Sequence, residues 1–96
     1  MSAYLIVNVD VRDAAAYEEY KNKAPALIHK HGGEYVVRGG KLVVLEGAWN
    51  PARLVLLKFP DLASAQAFFL DPEYQPLKAV RQKVSSADIV AVEGVF

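Results

Sequence analysis

The sequence predicts one α+β domain with the ferredoxin-like βαββαβ order. Three observations carry this reading. Strand-like and helix-like stretches alternate once in each half of the chain, which is the split βαβ pattern. The 96 residues fit a single core with no room for a second. Two helical regions of this length form a layer over one face of a four-stranded antiparallel sheet.

Ala3 to Val11 reads as a strand rich in β-branched and aromatic residues. Its odd positions are wholly apolar, and its even positions are apolar at the start before Asn8 and Asp10. That pattern describes a central strand covered on both sides for much of its length. Asp13 is a good N-cap for a helix reaching about His31. Tyr17, Tyr20, Ala24, Leu27 or Ile28, and His31 recur at three- and four-residue steps along one face. Glu19 and Lys23 pair on the outside. Pro25 deletes the bond to the Lys21 carbonyl and should kink the rod, and Gly32 suits the position after the helix end.

Glu34 to Arg38 and Leu42 to Glu46 are two short β runs around Gly39-Gly40. They read as a hairpin with a two-residue turn, or as one long bent strand. Gly47 to Pro51 is a loop, and Arg53 to Phe59 is a strand stopped by Pro60. Asp61 caps a helix over Leu62 to Leu70. Asp71 then caps a second piece, with Pro72 at its first position, running to about Val84. Asp88 to Glu93 is the last strand.

Charge excludes several functions. Acidic and basic residues balance at 11 each and the basic ones are scattered, so no field draws in nucleic acid or an anionic membrane. The absence of cysteine removes disulfides, thiolate metal sites and cysteine nucleophiles. The start, Met1-Ser2-Ala3-Tyr4, runs into a strand and shows no signal peptide. No apolar run approaches the ~20 residues of a membrane helix, and the expected compartment is the cytoplasm.

A homodimer is expected on separate grounds. Leu54 and Leu56 oppose Val55, Leu57 and Phe59, while Val90 and Val92 oppose Ile89 and Ala91. Both sheet faces therefore carry large apolar residues, more than monomers expose. Pairing two sheets by two-fold symmetry would bury the second face. The alternative is that the chain ends or the Trp49 loop fold over it.

The segment His31-Gly32-Gly33-Glu34-Tyr35-Val36-Val37-Arg38-Gly39-Gly40 resembles the central motif of an uncharacterised bacterial family, domain of unknown function 1330. The likeness continues through Leu45 to Arg53, Lys58-Phe59-Pro60, Asp71-Pro72-Glu73-Tyr74 and Arg81. It spans essentially the whole chain. The resemblance implies the dimeric α/β-barrel superfamily, in which two ferredoxin-like sheets pair into a barrel with the helices outside. That superfamily includes small monooxygenases, lactone isomerases and haem-dependent enzymes, and also proteins of no known activity, so fold alone does not assign chemistry.

No strong catalytic motif is present. His29 and His31 lie two apart and point to different helix faces, so no metal site is expected. His31 either interacts with the helix C-terminus or serves a pocket as a proton carrier. Arg38, Arg53 and Arg81 match positions of the family motif and are the ligand-binding candidates, because a guanidinium can grip a carboxylate or phosphate with two bonds. Arg81 follows Tyr74 by seven residues, so both share a helix face. The alternative for each arginine is an ion pair with Glu46, Asp10 or Glu93, or a dimer contact. Glu46 is a candidate general base if desolvated, or an arginine partner. Tyr17, Tyr20, Trp49 and Tyr74 offer apolar walls with polar tips, although Tyr17 and Tyr20 on the helix face are first of all core. With no cofactor fingerprint, the expectation is a cofactor-independent enzyme on a small organic acid or partly apolar metabolite. The alternatives are a non-catalytic binding or sensing module and a structural dimer without ligand.

Overall fold

A computed structural model describes residues 1–96. It contains β1 (Ala3–Val11), α1 (Ala14–Lys30), β2 (Glu34–Arg38), β3 (Leu54–Phe59), α2 (Leu62–Leu70), α3 (Tyr74–Val84) and β4 (Ser85–Glu93). The four strands form one sheet in the order β2-β3-β1-β4, antiparallel throughout. This is the ferredoxin-like α+β fold. β1 is central, with Leu5 opposite Leu57 on one side and Ala91 on the other.

Strand alternation sorts the residues. Ala3, Leu5 and Val9 of β1 and Val55, Leu57 and Phe59 of β3 are buried under the helices. α1 contributes Tyr17, Ala24, Leu27 and Ile28 to the same core, and Phe68 of α2 and Tyr74 of α3 complete it. Phe68 lies 4.5 Å from Tyr74 and 5.6 Å from Phe59, centroid to centroid. The opposite face presents Tyr4, Ile6, Leu54 and Leu56 half-buried, with Val90 and Val92 about half exposed at 57% and 47%.

The helix signals act as read. The Asp13 carboxylate accepts from the Ala16 N–H, and Asp61 accepts from that of Ser64, which holds the Asp61 carboxyl below its ordinary pKa. Gly32 takes φ +78° and donates to the His29 carbonyl, closing α1 with the left-handed residue that only glycine adopts freely.

Four expectations need correction. Leu42 to Glu46 is not a strand: residues 39–53 are irregular. Gly39 does not make a tight hairpin turn. Its N–H donates to the Leu54 carbonyl, so it prolongs the β2–β3 ladder, and the chain leaves the sheet edge from there. Asp71 does not directly cap α3, which starts at Tyr74. It ends α2 instead, with its side chain accepting from the Glu73 N–H at 2.8 Å. β4 begins at Ser85, three residues before the expected start, because Val11 and Asp10 of β1 continue pairing with Ser85 and Ser86.

Candidate functional site

The site lies between the helices and the inner sheet face. It is a partly open cavity of about 40 Å³. Leu5, Val7, Val55, Leu57 and Ile89 form its floor, and Ile28, Phe68 and Phe69 part of its roof. Its polar wall consists of Arg38, Arg53 and Arg81, the tyrosines at 17, 20, 35 and 74, and Lys21. Lys21 is already paired with Glu18 at 3.1 Å. No carboxylate and no imidazole lines the cavity, so its polar wall is rich in hydrogen-bond donors and holds no anionic acceptor.

Arg38 reaches this wall through two local irregularities. β2 carries a bulge between Tyr35 and Val37, so Tyr35 faces Leu57 and Arg38 faces Val55. Strict alternation would put these two on opposite faces. The extra residue turns both inward, and the Arg38 guanidinium stacks 4.3 Å from the Tyr35 ring. Pro25 supplies the second device. It lacks the N–H that would bond the Lys21 carbonyl, and Arg38 Nη2 donates to that carbonyl at 3.0 Å.

Arg53 and Arg81 are placed differently. Arg81 is only 4% exposed, Arg53 is half-buried, and the Nε of each is buried without a partner. Neither guanidinium forms an ion pair; the salt bridges of the chain involve Lys21, Lys23, Lys30 and His31. The pairings with Glu46, Asp10 or Glu93 do not form. Gly39, at φ +68°, makes room for Arg53: a Cβ there would lie 2.5 Å from Arg53 Nη1.

The tyrosines complete the wall. The Tyr20 and Tyr74 hydroxyls share a hydrogen bond of 2.7 Å. One hydroxyl donates, so the accepting one keeps its own proton free for the cavity. Burial, then the neighbouring Tyr74, raises the Tyr20 pKa far above that of a free phenol. Burial also raises Tyr17, opposed by the nearby charges of Arg53, Arg81 and Arg38.

The cavity thus gathers Arg38, Arg53, Tyr74 and Arg81 of the residues expected to form a site. It does not gather Glu46, Trp49 or His31. Glu46 lies in an exposed segment, and Trp49 is 63% exposed. His31 ends α1 with Nε2 2.7 Å from Asp71 Oδ2, an oxygen that also accepts from Lys30 Nζ at 3.0 Å. With the Glu73 N–H, these bonds hold the Asp71 carboxyl well below the usual range, His31 contributing most. This is a clamp between the end of α1 and the α2–α3 corner. Tyr17 and Tyr20, expected first as core and otherwise as walls, do line the cavity. Sequence reading missed Tyr35, which needed the bulge.

Fold and cavity define the class: a ferredoxin-like domain with a small, donor-rich chamber between its helices and its sheet. The chain belongs to the family described as domain of unknown function 1330 (DUF1330), whose model matches residues 2–95. Solved structures of the same fold include a protein of unknown function from Rhodopseudomonas palustris. It is 17% identical over 99% of this chain and 83% of that one, with a TM-score of 0.79. SnoaB, a cofactor-independent oxygenase from Streptomyces nogalater, is 12% identical over 99% of this chain and 94% of its own, with a TM-score of 0.66. A dimeric ferredoxin-like protein of unknown function from a Jannaschia species is 15% identical over 98% and 100%, with a TM-score of 0.64. At these identities the likeness establishes the fold. No protein of curated function matches the chain. No helix is long and apolar enough to cross a membrane.

Proposed function

We propose that the chain binds a small, anionic, partly apolar molecule in the donor-lined cavity of each protomer. The observation that carries this is the unpartnered buried Nε of Arg81 and of Arg53. A buried guanidinium without a carboxylate costs several kcal/mol in lost hydration. An anionic ligand offsets that cost with charge-assisted bonds, and the apolar floor meets the first carbons beside its charged group. The test is a thermal-shift screen of small aryl and alkyl carboxylates on wild type and Arg53→Met. Stabilisation by a carboxylate that disappears in the variant supports the reading. Equal shifts in both proteins, or no shift with any compound, refute it.

A second reading makes the protein a cofactor-independent enzyme on the same ligand, as SnoaB is a cofactor-independent oxygenase on this fold. The Tyr20–Tyr74 pair favours it, because its free proton can stabilise or quench an oxyanion beside the arginines. Tyr74→Phe should then abolish turnover while leaving ligand binding within a few fold. Dioxygen uptake, measured with each stabilising carboxylate, is the assay. Uptake unchanged by Tyr74→Phe refutes this role.

The working unit we infer is a homodimer paired sheet to sheet. Val90 and Val92 remain exposed on the outer face, and neither candidate cover reaches them. The chain ends pair with each other, Gly94 N–H to the Ser2 carbonyl at 2.8 Å and Ser2 N–H to that of Phe96. The Trp49 loop stands exposed. The Jannaschia relative is a dimer of this fold. Light scattering that gives the monomer mass of 10.5 kDa at micromolar concentration would rule this out.

A further inference from the structure

Phe69 stands where three spaces meet. It lines the arginine cavity and an open slot of about 260 Å³ walled by Leu5, Ala65, Leu70 and Ala91. It also lines a polar recess beside Arg81 and Ser85. The arginine cavity, at about 40 Å³, has room for roughly one or two waters, or one small head group. Small-molecule sites start at about 300 Å³. Cavity and slot together approach that size, and Phe69 is the aromatic ring between them.

The two neighbouring phenylalanines of α2 differ in freedom. Phe68 is 2% exposed and wedged between Phe59 and Tyr74. Phe69 is half-buried at the penultimate position of the helix. Looser contacts hold it, 5.8 Å to the Tyr74 centroid and 5.0 Å to Lys78 Nζ. Leu5, Phe69 and Ile89 line both spaces; Leu5 and Ile89 belong to the sheet, and Phe69 is the one on a helix end. Apart from Gln66, the slot is lined by apolar side chains.

We propose that Phe69 partitions a larger binding chamber, and that the ligand is an amphipathic carboxylic acid. Its carboxylate takes Arg81, and its hydrocarbon end passes Phe69 into the slot of Leu5, Ala65, Leu70 and Ala91. This rests on the reading that the arginine cavity takes an anion, and it adds the ligand's shape and the residue that selects it.

The experiment is calorimetric titration of the full chain with acetate, butyrate and octanoate, with octanol as the neutral control. Wild type, Phe69→Ala, Phe69→Trp and Arg81→Met are compared after circular dichroism confirms folding. Affinity should climb with chain length in wild type, by up to about fourfold per buried methylene. Phe69→Ala should keep or strengthen octanoate binding and leave acetate unchanged. Phe69→Trp should erase the gain from length, Arg81→Met should weaken every acid at least tenfold, and octanol should bind at least tenfold more weakly than octanoate. Affinity independent of chain length, a length dependence that Phe69→Trp does not move, or octanol equal to octanoate overturns the proposal. If those outcomes come with Arg81-dependent binding of the acids, the anion reading survives alone. If Arg81→Met changes nothing, or no acid binds, both readings fall.

Discussion

Replacing Arg81 by Met should raise the stability of the unliganded protein while destroying its response to ligand. Arg81 is 4% exposed, its Nε has no partner, and it enters no salt bridge. Moving a charge into such a site costs several kcal/mol after relaxation. The only evident compensation is its place in the last turn of α3, where the helix C-terminus contributes up to ~2 kcal/mol. Methionine fills much of the same volume without charge, and an apolar side chain in place of a buried ionic group commonly stabilises by about 1–4 kcal/mol. In a domain of this size each kcal/mol moves Tm by about 4–8 °C, so a gain of about 2 kcal/mol reads as roughly 8–16 °C. The assay is differential scanning calorimetry with and without a carboxylate identified by the screen. At a hundred times Kd the ligand should add ~2.7 kcal/mol to wild type and nothing to the variant. A fall in Tm of the ligand-free variant, at unchanged oligomeric mass, would show that Arg81 is a structural anchor and refute the reasoning.

Other perturbations follow from the same geometry. Gly39→Ala should destabilise by about 1–2 kcal/mol, because φ +68° disfavours a side chain. It should also weaken carboxylate binding, because its Cβ would displace the Arg53 guanidinium; urea melts and titration separate the two effects. Pro25 and Arg38 should be coupled through the Lys21 carbonyl. Pro25→Ala restores a helical donor to that carbonyl, so Arg38→Met should cost less in the Pro25→Ala background, with a double-mutant coupling of about 1–2 kcal/mol, measured by urea denaturation. The Asp71 carboxyl is held below its ordinary pKa by His31, the Glu73 N–H and Lys30. Its stabilisation is therefore fully present above the unfolded carboxylate range and lost as pH falls below it. Denaturation midpoints between pH 6 and pH 2 should fall less steeply in Asp71→Asn than in wild type, and equal slopes would contradict the clamp.

The sequence reads well where periodicity decides the outcome. The inward face of α1, the odd positions of β1 and β3, and the caps at Asp13 and Asp61 follow from spacing and side-chain chemistry alone. It reads poorly where tertiary partners decide. Leu42 to Glu46 has strand propensity but no strand to join, since Gly39 is absorbed into the β2–β3 ladder and the chain departs. Arg38 was legible as a candidate, yet simple alternation assigns it and Tyr35 to opposite faces. Only pairing with β3 reveals the bulge that turns both inward. Pro25 was legible as a helix defect, and the carbonyl it frees could be named. That the vacancy would be filled from β2, 13 residues beyond the proline in sequence, depends on the finished fold.

These defects share one property. The bulge in β2, the proline in α1, the left-handed Gly39 and the uncompensated cations at Arg53 and Arg81 each lower stability. Arg53 and Arg81 line one small cavity, the bulge turns Tyr35 and Arg38 into it, and Pro25 and Gly39 act on it through the Lys21 carbonyl and the Arg53 guanidinium. A domain selected only to fold would replace Arg81 with leucine or methionine, straighten β2 and mend α1, because each repair adds stability without altering the topology. Local rules broken together at one place are the physical signature of a site kept for binding or chemistry. A purely structural dimer accounts for the apolar outer face, but it has no use for charged donors gathered over the inner one. The inner face therefore argues for a ligand independently of the outer face that argues for a partner, and strand alternation in β1 and β3 lets one sheet serve both.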